Sequence, residues 1–146
     1  DVRGRGGLAL GDKWREGPRA YLGVAMAGFP NLFTITGPGS PSVLTNMLPT
    51  IEQHVEWIAG VLGHMRDRQL GLIEPMPAAE EEWVAHGNEV AGRTLRYTCS
   101  SWYLGVNIPG KPRVFMPYIG FPSYVERCIA IAAAGYTGFR FSGARA

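Results

Sequence analysis

The sequence predicts an α/β fold, and within that class a part of a doubly wound sheet. Three observations carry this. Strand-like and helix-like segments follow one another along the chain. The apolar segment "NLFTIT" runs into a glycine- and proline-rich turn, "GPGSPS", and then a helix start. Strand candidates are too few to complete such a sheet.

Taken in order, residues 1–30 read as mostly irregular, with "GLAL" (Gly7–Leu10) a possible short strand and Gly17-Pro18 a breaker. "NLFTIT" (Asn31–Thr36) is short, β-branched and aromatic, bounded by Pro30 and Gly37, and reads as a buried strand. The clearest helix follows. Ile51, Val55, Ile58 and Leu62 recur at helical spacing, Val61 and Met65 widen the stripe, and Glu52, Gln53 and Glu56 take the other face. Pro49 suits its first turn, with Thr50 or Ser42 as cap. "QLGLIEPMP" is a connector with a possible short strand. A second helix is expected from Ala78 to about Val90, with Glu80, Glu81 and Glu82 at its positive end. A long aromatic loop leads to "RVFMPY" (Arg113–Tyr118), a strand candidate. A third helix starts at Pro122 and stops near Ala134, with Gly135 as its C-cap. "TGFRFSG" closes as a short strand.

Bulk properties narrow the function. The chain has 146 residues, one ordinary domain by length and enough to bury a core. A net charge of +2 with scattered basic residues does not suggest a nucleic-acid partner. Twenty glycines and 11 prolines predict short elements and many loops. Cys99 and Cys128 form neither a disulfide framework nor a metal site, and read as free thiols in a reducing compartment. The longest apolar run, "CIAIAAAGY", is too short to span a membrane, so the expectation is a soluble, cytoplasmic protein. "DVRGRGG" reads as the middle of something, so a processed protein or a piece of a larger one is expected.

Chemistry-bearing motifs are sparse. "GPGSPS" is neither a P-loop nor GxGxxG. A strand, a glycine turn and a helix start can aim backbone N–H groups at a phosphate or carbonyl, although the residues by themselves favour plain turn geometry. His54 and His64 lie ten residues apart, not at a helical metal-pair spacing, and read with His86 as packing or surface residues. Glu80–Glu82 reads as a solvated helix start. Nothing resembles a nucleophile elbow. In "SSWYLGVNIPGKPRVF", Trp102 could cover a planar ligand with Asn107, Lys111 and Arg113 nearby, or anchor the loop in the core.

Two long blocks, "YLGVAMAGFPNLFTITGPGSPSVLTNMLPTIEQHVEWI" and "SSWYLGVNIPGKPRVFMPYIG", followed by "AAAGYTGF", resemble the C-terminal portion of Baeyer–Villiger monooxygenases of the phenylacetone, cyclohexanone and steroid type. That family uses FAD and NADPH to insert one oxygen of O2 beside a ketone carbonyl, giving an ester or lactone. The resemblance implies that residues 1–146 are the C-terminal part of a Rossmann-like, dinucleotide-binding FAD domain in a two-domain flavoprotein. Ketone, O2 and the remainder of the FAD and NADPH domains are then its partners, with no nucleic acid, membrane or metal. "GPGSPSVLTNM" is similar to the family's flavin-contacting turn and helix start. "WYLGVNIPGKPR", within about 99–113, is similar to the mobile loop that orders over NADP. The cofactor-binding residues so implied are Gly37, Pro38, Gly39, Leu44, Met47, Trp102 and Asn107.

The chain carries no dinucleotide GxGxxG, no family fingerprint and no match to the active-site arginine, so no catalytic residue is expected in it and it should be inactive by itself. "MPYIGFPSYVERC" is one residue shorter than the family pattern after Tyr118. Two other readings remain: a non-catalytic stand-alone binding module, and part of a related flavin monooxygenase oxidising nitrogen or sulfur.

Overall fold

The computed structural model describes residues 1–42, 45–98, 100, 102–106, 108–110 and 120–143, without the side chains of Arg96, Tyr97 and Trp102. Helix α1 is one turn, Leu10–Lys13. Helix α2 runs Met47–Asp67, strand β1 Leu70–Pro75, helix α3 Pro77–Gly92, helix α4 Phe121–Ala133 and strand β2 Phe139–Gly143. The strand expected at "RVFMPY" lies outside the described residues. The shortened stretch after Tyr118 does so in part.

Strands β1 and β2 pair antiparallel, with Ile73 opposite Phe141 and Pro75 opposite Phe139. A register shift between Leu70 and Leu72 is the mark of a bulge at Gly71. No parallel pair forms among the described residues, so the doubly wound arrangement expected from element order is not built within them. Between α4 and β2 the chain reverses through Gly135, Tyr136 and Gly138, all at positive φ. The Tyr136 N–H reaches back to the Ile131 carbonyl, a left-handed helix stop as the glycine signal implied.

The helices lie where their signals put them, but α2 is out of phase with the expected stripe. Its buried residues are Thr50, His54, Trp57, Val61 and Met65. Val55 and Leu62 point outward at 48% and 49% exposure, and Leu48 at 65%. The reason is chemical. His54 hydrogen-bonds on both ring nitrogens, and the Trp57 indole N–H donates to the Cys128 carbonyl on α4. These bonds allow polar groups inside. Asn46, not Thr50 or Ser42, caps α2: its side-chain oxygen accepts the Leu48 N–H.

One core joins α2, α3, α4 and the hairpin. Trp57 packs edge-on to Tyr136 at 5.2 Å between ring centres and lies 5.5 Å from Phe139. Phe139 in turn meets Tyr21 at 5.1 Å. Such aromatic contacts carry large apolar area with defined geometry.

Two expected strands are not strands. "GLAL" contributes only a bridge from Ala9 to Arg3 before α1 begins. "NLFTIT" contributes only a bridge from Phe33 to Ala25. Asn31 and Thr36, at its two ends, sit at φ +59° and +52°, outside the extended region, so pairing cannot propagate.

The segment 20–29 is buried and tied down by two carboxylates. Glu74 accepts the Gly28 N–H at 2.9 Å and pairs with Arg5 and Arg140. Burial pushes its carboxyl up, but hydrogen bonds from Arg5, Arg140 and Gly28 together hold it below the usual carboxylate range. Glu80 accepts the Ala27 N–H at 3.0 Å and pairs with Lys13. At 4% exposure it is not part of a solvated helix start, whereas Glu81 and Glu82 are exposed.

Candidate functional site

The turn at residues 34–40 stacks on a second turn at 21–25. In the second turn, Leu22 and Gly23 are both left-handed, at φ +57° and +71°. Three groups of the first turn address the second. The Thr34 N–H donates to the Val24 carbonyl at 2.8 Å, while the Thr34 hydroxyl and the Gly37 N–H both donate to the Gly23 carbonyl. Ser40 folds back on the Gly37 carbonyl through its own N–H and hydroxyl. The Trp83 indole N–H, from α3, holds the Gly39 carbonyl at 3.2 Å.

The glycines are required by protein atoms. A Cβ on Gly37 would stand 2.4 Å from the Thr34 hydroxyl oxygen and 2.5 Å from the Gly23 carbonyl oxygen. On Gly39 it would stand 2.9 Å from the Trp83 indole nitrogen, at a φ of +83°. The N–H groups of Thr36, Gly37 and Ser40 are engaged inside the protein, so the turn is not a phosphate cradle of the P-loop kind.

His54 is fully buried. Its Nδ1 accepts the Thr36 N–H at 2.9 Å, and its Nε2 lies 2.6 Å from the Tyr124 hydroxyl, which donates to the Leu22 carbonyl at 2.7 Å. Burial lowers the imidazole to about 4, so it is neutral at physiological pH. Thr36 and Leu22 are non-glycine residues in the left-handed region, which costs about 1–2 kcal/mol each. Burial also pushes the Cys128 thiol up to about 11, which makes it a packing thiol and not a nucleophile.

Exposed apolar side chains occur both in the turn at residues 34–40 and at the start of α2. Ile35 is 48% exposed and Met47 38%, with Leu48 beside it at the start of α2. No acidic residue occupies the first turn of α2, so its positive end is not neutralised there.

Of the expected cofactor residues, Gly37, Pro38 and Gly39 lie in this turn, and Met47 is the first residue of α2. Leu44, Asn107 and the side chain of Trp102 lie outside the described residues. The backbone of Trp102–Leu104 forms a short turn, and Leu104 is buried against Ala91 of α3. His54, Tyr124 and Trp83, which hold the turn, were not read as site residues. His54 lies 70 positions from Tyr124, and no local spacing reports that pairing. Among the described residues no group of acids, histidines and cysteines could hold a metal ion. None of their helices is long and apolar enough to cross a membrane.

Comparison with known proteins gives the class first: over nearly its whole length the chain is similar to monooxygenases. It is 41% identical to an acetone monooxygenase (methyl acetate-forming) of Gordonia sp. over 97% of its residues. It is 42% identical to a Baeyer–Villiger monooxygenase of Pseudooceanicola batsensis over 94%, and 41% identical to a phenazine N-monooxygenase of Lysobacter antibioticus over 95%. In three dimensions it matches a cyclohexanone monooxygenase of Rhodococcus sp. Phi1 bound to NADP+, with a TM-score of 0.92, 39% identity and 99% of the chain covered. No family model matches the sequence. The chain therefore matches a part of the Baeyer–Villiger monooxygenases, in sequence and in structure. It spans 25% to 27% of the length of these four proteins.

Proposed function

We propose that the chain is the C-terminal part of the Rossmann-like FAD domain of a Baeyer–Villiger monooxygenase, which converts a ketone and O2 to an ester or lactone at the expense of NADPH. The observation that carries this is similarity along nearly the whole chain, at about 40% identity, to ketone monooxygenases, one of them solved with NADP+ bound. The anchored turn adds to it, as do the exposed Ile35 and Met47.

In this reading Gly37, Pro38, Gly39, Leu44 and Met47 hold the flavin ring. FAD held there would supply the redox chemistry, with NADPH as the reductant and O2 as the source of the inserted oxygen. The chain's own residues supply shape and field. Backbone bonds to Gly23, Trp83 and His54 hold the turn before the ligand arrives, so little ordering is needed on binding. The start of α2 directs its positive end at negative charge that collects on the ring. The segment 99–113, with Trp102 and Asn107, covers NADP and excludes water, and Leu104 anchors it to α3. The outward stripe of Leu48, Val55 and Leu62 is then covered by the rest of the protein, since the relatives are nearly four times longer. A helix apolar on two sides belongs inside a larger body, which counts against a stand-alone module.

A second reading has its own support. The phenazine N-monooxygenase matches the chain as well as the ketone enzymes do, so this segment does not separate carbon from nitrogen oxidation. The test is to express the complete coding sequence, measure FAD content, and follow NADPH consumption with a panel of ketones and N-heteroaromatics under 18O2. Labelled esters or lactones support the first reading. N-oxides without esters move the protein to the second, and absence of bound flavin removes both.

A further inference from the structure

His54 on α2 and Tyr124 on α4 meet in the core, and each reaches on to a different turn. The backbone fixes the proton positions. The Thr36 N–H can only donate, so His54 Nδ1 is the bare nitrogen and Nε2 carries the hydrogen. The Leu22 carbonyl can only accept, so the Tyr124 hydroxyl gives its proton there and accepts from Nε2. Each of the three bonds thus pairs one donor with one acceptor. The two backbone ends of this chain are Thr36 and Leu22, both left-handed without being glycine. A β-branched residue such as threonine is an outlier in that region, held only where its surroundings over-determine it. The two turns also touch through the Gly37 N–H and the Gly23 carbonyl, so the relay closes a ring around them.

Packing does not require this arrangement. Leucine and phenylalanine would fill the same space without burying two polar groups. We infer that His54 and Tyr124 are positioning residues: a neutral imidazole–phenol relay that locks the Leu22–Gly23 turn to the Thr36–Gly39 turn and so sets the attitude of that turn toward the flavin. The inference rests on the flavin reading for its consequence, but not for its geometry.

The test uses the complete protein and three variants. His54→Asn places an amide oxygen near Nδ1 and keeps an acceptor for Thr36. His54→Gln places its amide near Nε2 and leaves Thr36 without one. Tyr124→Phe removes only the hydroxyl. Amide hydrogen exchange of the peptide spanning residues 33–40 is read by mass spectrometry, alongside the visible flavin spectrum. Exchange in that peptide should rise roughly tenfold in His54→Gln, which loses the Thr36 acceptor, about one hydrogen bond, and by less in His54→Asn and Tyr124→Phe, which each break the link to the Leu22 turn while Thr36 keeps its acceptor. In the flavin-loaded protein the absorption band should shift in all three variants, most in His54→Gln, which also frees Thr36.

Equal exchange in His54→Asn and His54→Gln would overturn the relay, because only the shorter amide keeps an acceptor for the Thr36 N–H. Where both histidine variants fail to fold, Tyr124→Phe decides, and unchanged exchange there overturns it. Altered exchange without any flavin shift refutes the consequence for the cofactor. A parent protein holding no flavin refutes the flavin reading and leaves the relay to be judged on exchange.

Discussion

Gly37→Ala and Gly63→Ala add the same methyl group and are expected to act in opposite directions. At Gly37 the new carbon meets the Thr34 hydroxyl oxygen at 2.4 Å and the Gly23 carbonyl oxygen at 2.5 Å. Relieving such overlaps costs about 1–3 kcal/mol. The displaced atoms also lose bonds, since the Thr34 hydroxyl and the Gly37 N–H both donate to that carbonyl, at about 1 kcal/mol each. The smaller freedom of alanine in the unfolded chain returns about 0.4–1 kcal/mol. The net is a loss of about 2–4 kcal/mol, by the magnitudes just cited. Gly63 lies within α2 with nothing near its missing Cβ, so alanine there should gain close to 1 kcal/mol from helix propensity. Urea denaturation of the complete protein, followed by tryptophan fluorescence and by flavin release, measures both. A Gly37→Ala protein as stable as the parent would refute the packing of the two turns.

Stability should also depend on His54 protonation. Its folded value of about 4 lies below the ordinary 6.5, so the unfolded chain takes up the proton first as pH falls. The contribution is fully present above about pH 6.5 and is lost toward pH 4, up to about 3 kcal/mol. Urea midpoints across that range should fall more steeply for the parent than for His54→Asn; parallel curves would contradict the buried neutral imidazole. Trp83→Phe removes the indole N–H from the Gly39 carbonyl and should cost about 1 kcal/mol in the same assay, with a larger loss of FAD affinity than of fold stability. Trp102→Ala in the complete enzyme should raise the KM for NADPH or lower the yield of oxygenated product per NADPH consumed. Unchanged kinetics and coupling would count against the segment 99–113 as an NADP cover.

The elements were legible where local chemistry decides them. Pro77 marks the start of α3, Gly135 sits just past the end of α4, and "TGFRFSG" holds β2. Periodicity also found α2, but it could not choose between faces. Leu48, Val55 and Leu62 make one apolar stripe, while the buried face mixes Trp57, Val61 and Met65 with Thr50 and His54. A polar residue inside is predictable only when its partner is known, and the partner of His54 is on another helix. "NLFTIT" failed as a strand for a similar reason: its neighbours are the two turns at 21–25 and 36–39, where Leu22 and Thr36 take the left-handed conformation that their residue types do not signal. Glu80 looked like one of three solvated acids because Lys13 and the Ala27 N–H lie more than 50 positions away. The glycine turn itself was legible as a turn. The ligand proposed for it comes only from the resemblance to the family, and it is the resemblance that the comparisons bear out.

The account stands on the turn at residues 36–39 and the start of α2 forming one wall of a flavin site. An experimental structure of the complete protein with FAD tests this most directly. The isoalloxazine ring is expected in contact with Gly37, Pro38, Gly39 and Met47, with Thr36 still bonded to His54. A flavin bound elsewhere, with this turn facing solvent or another part of the chain, would contradict it.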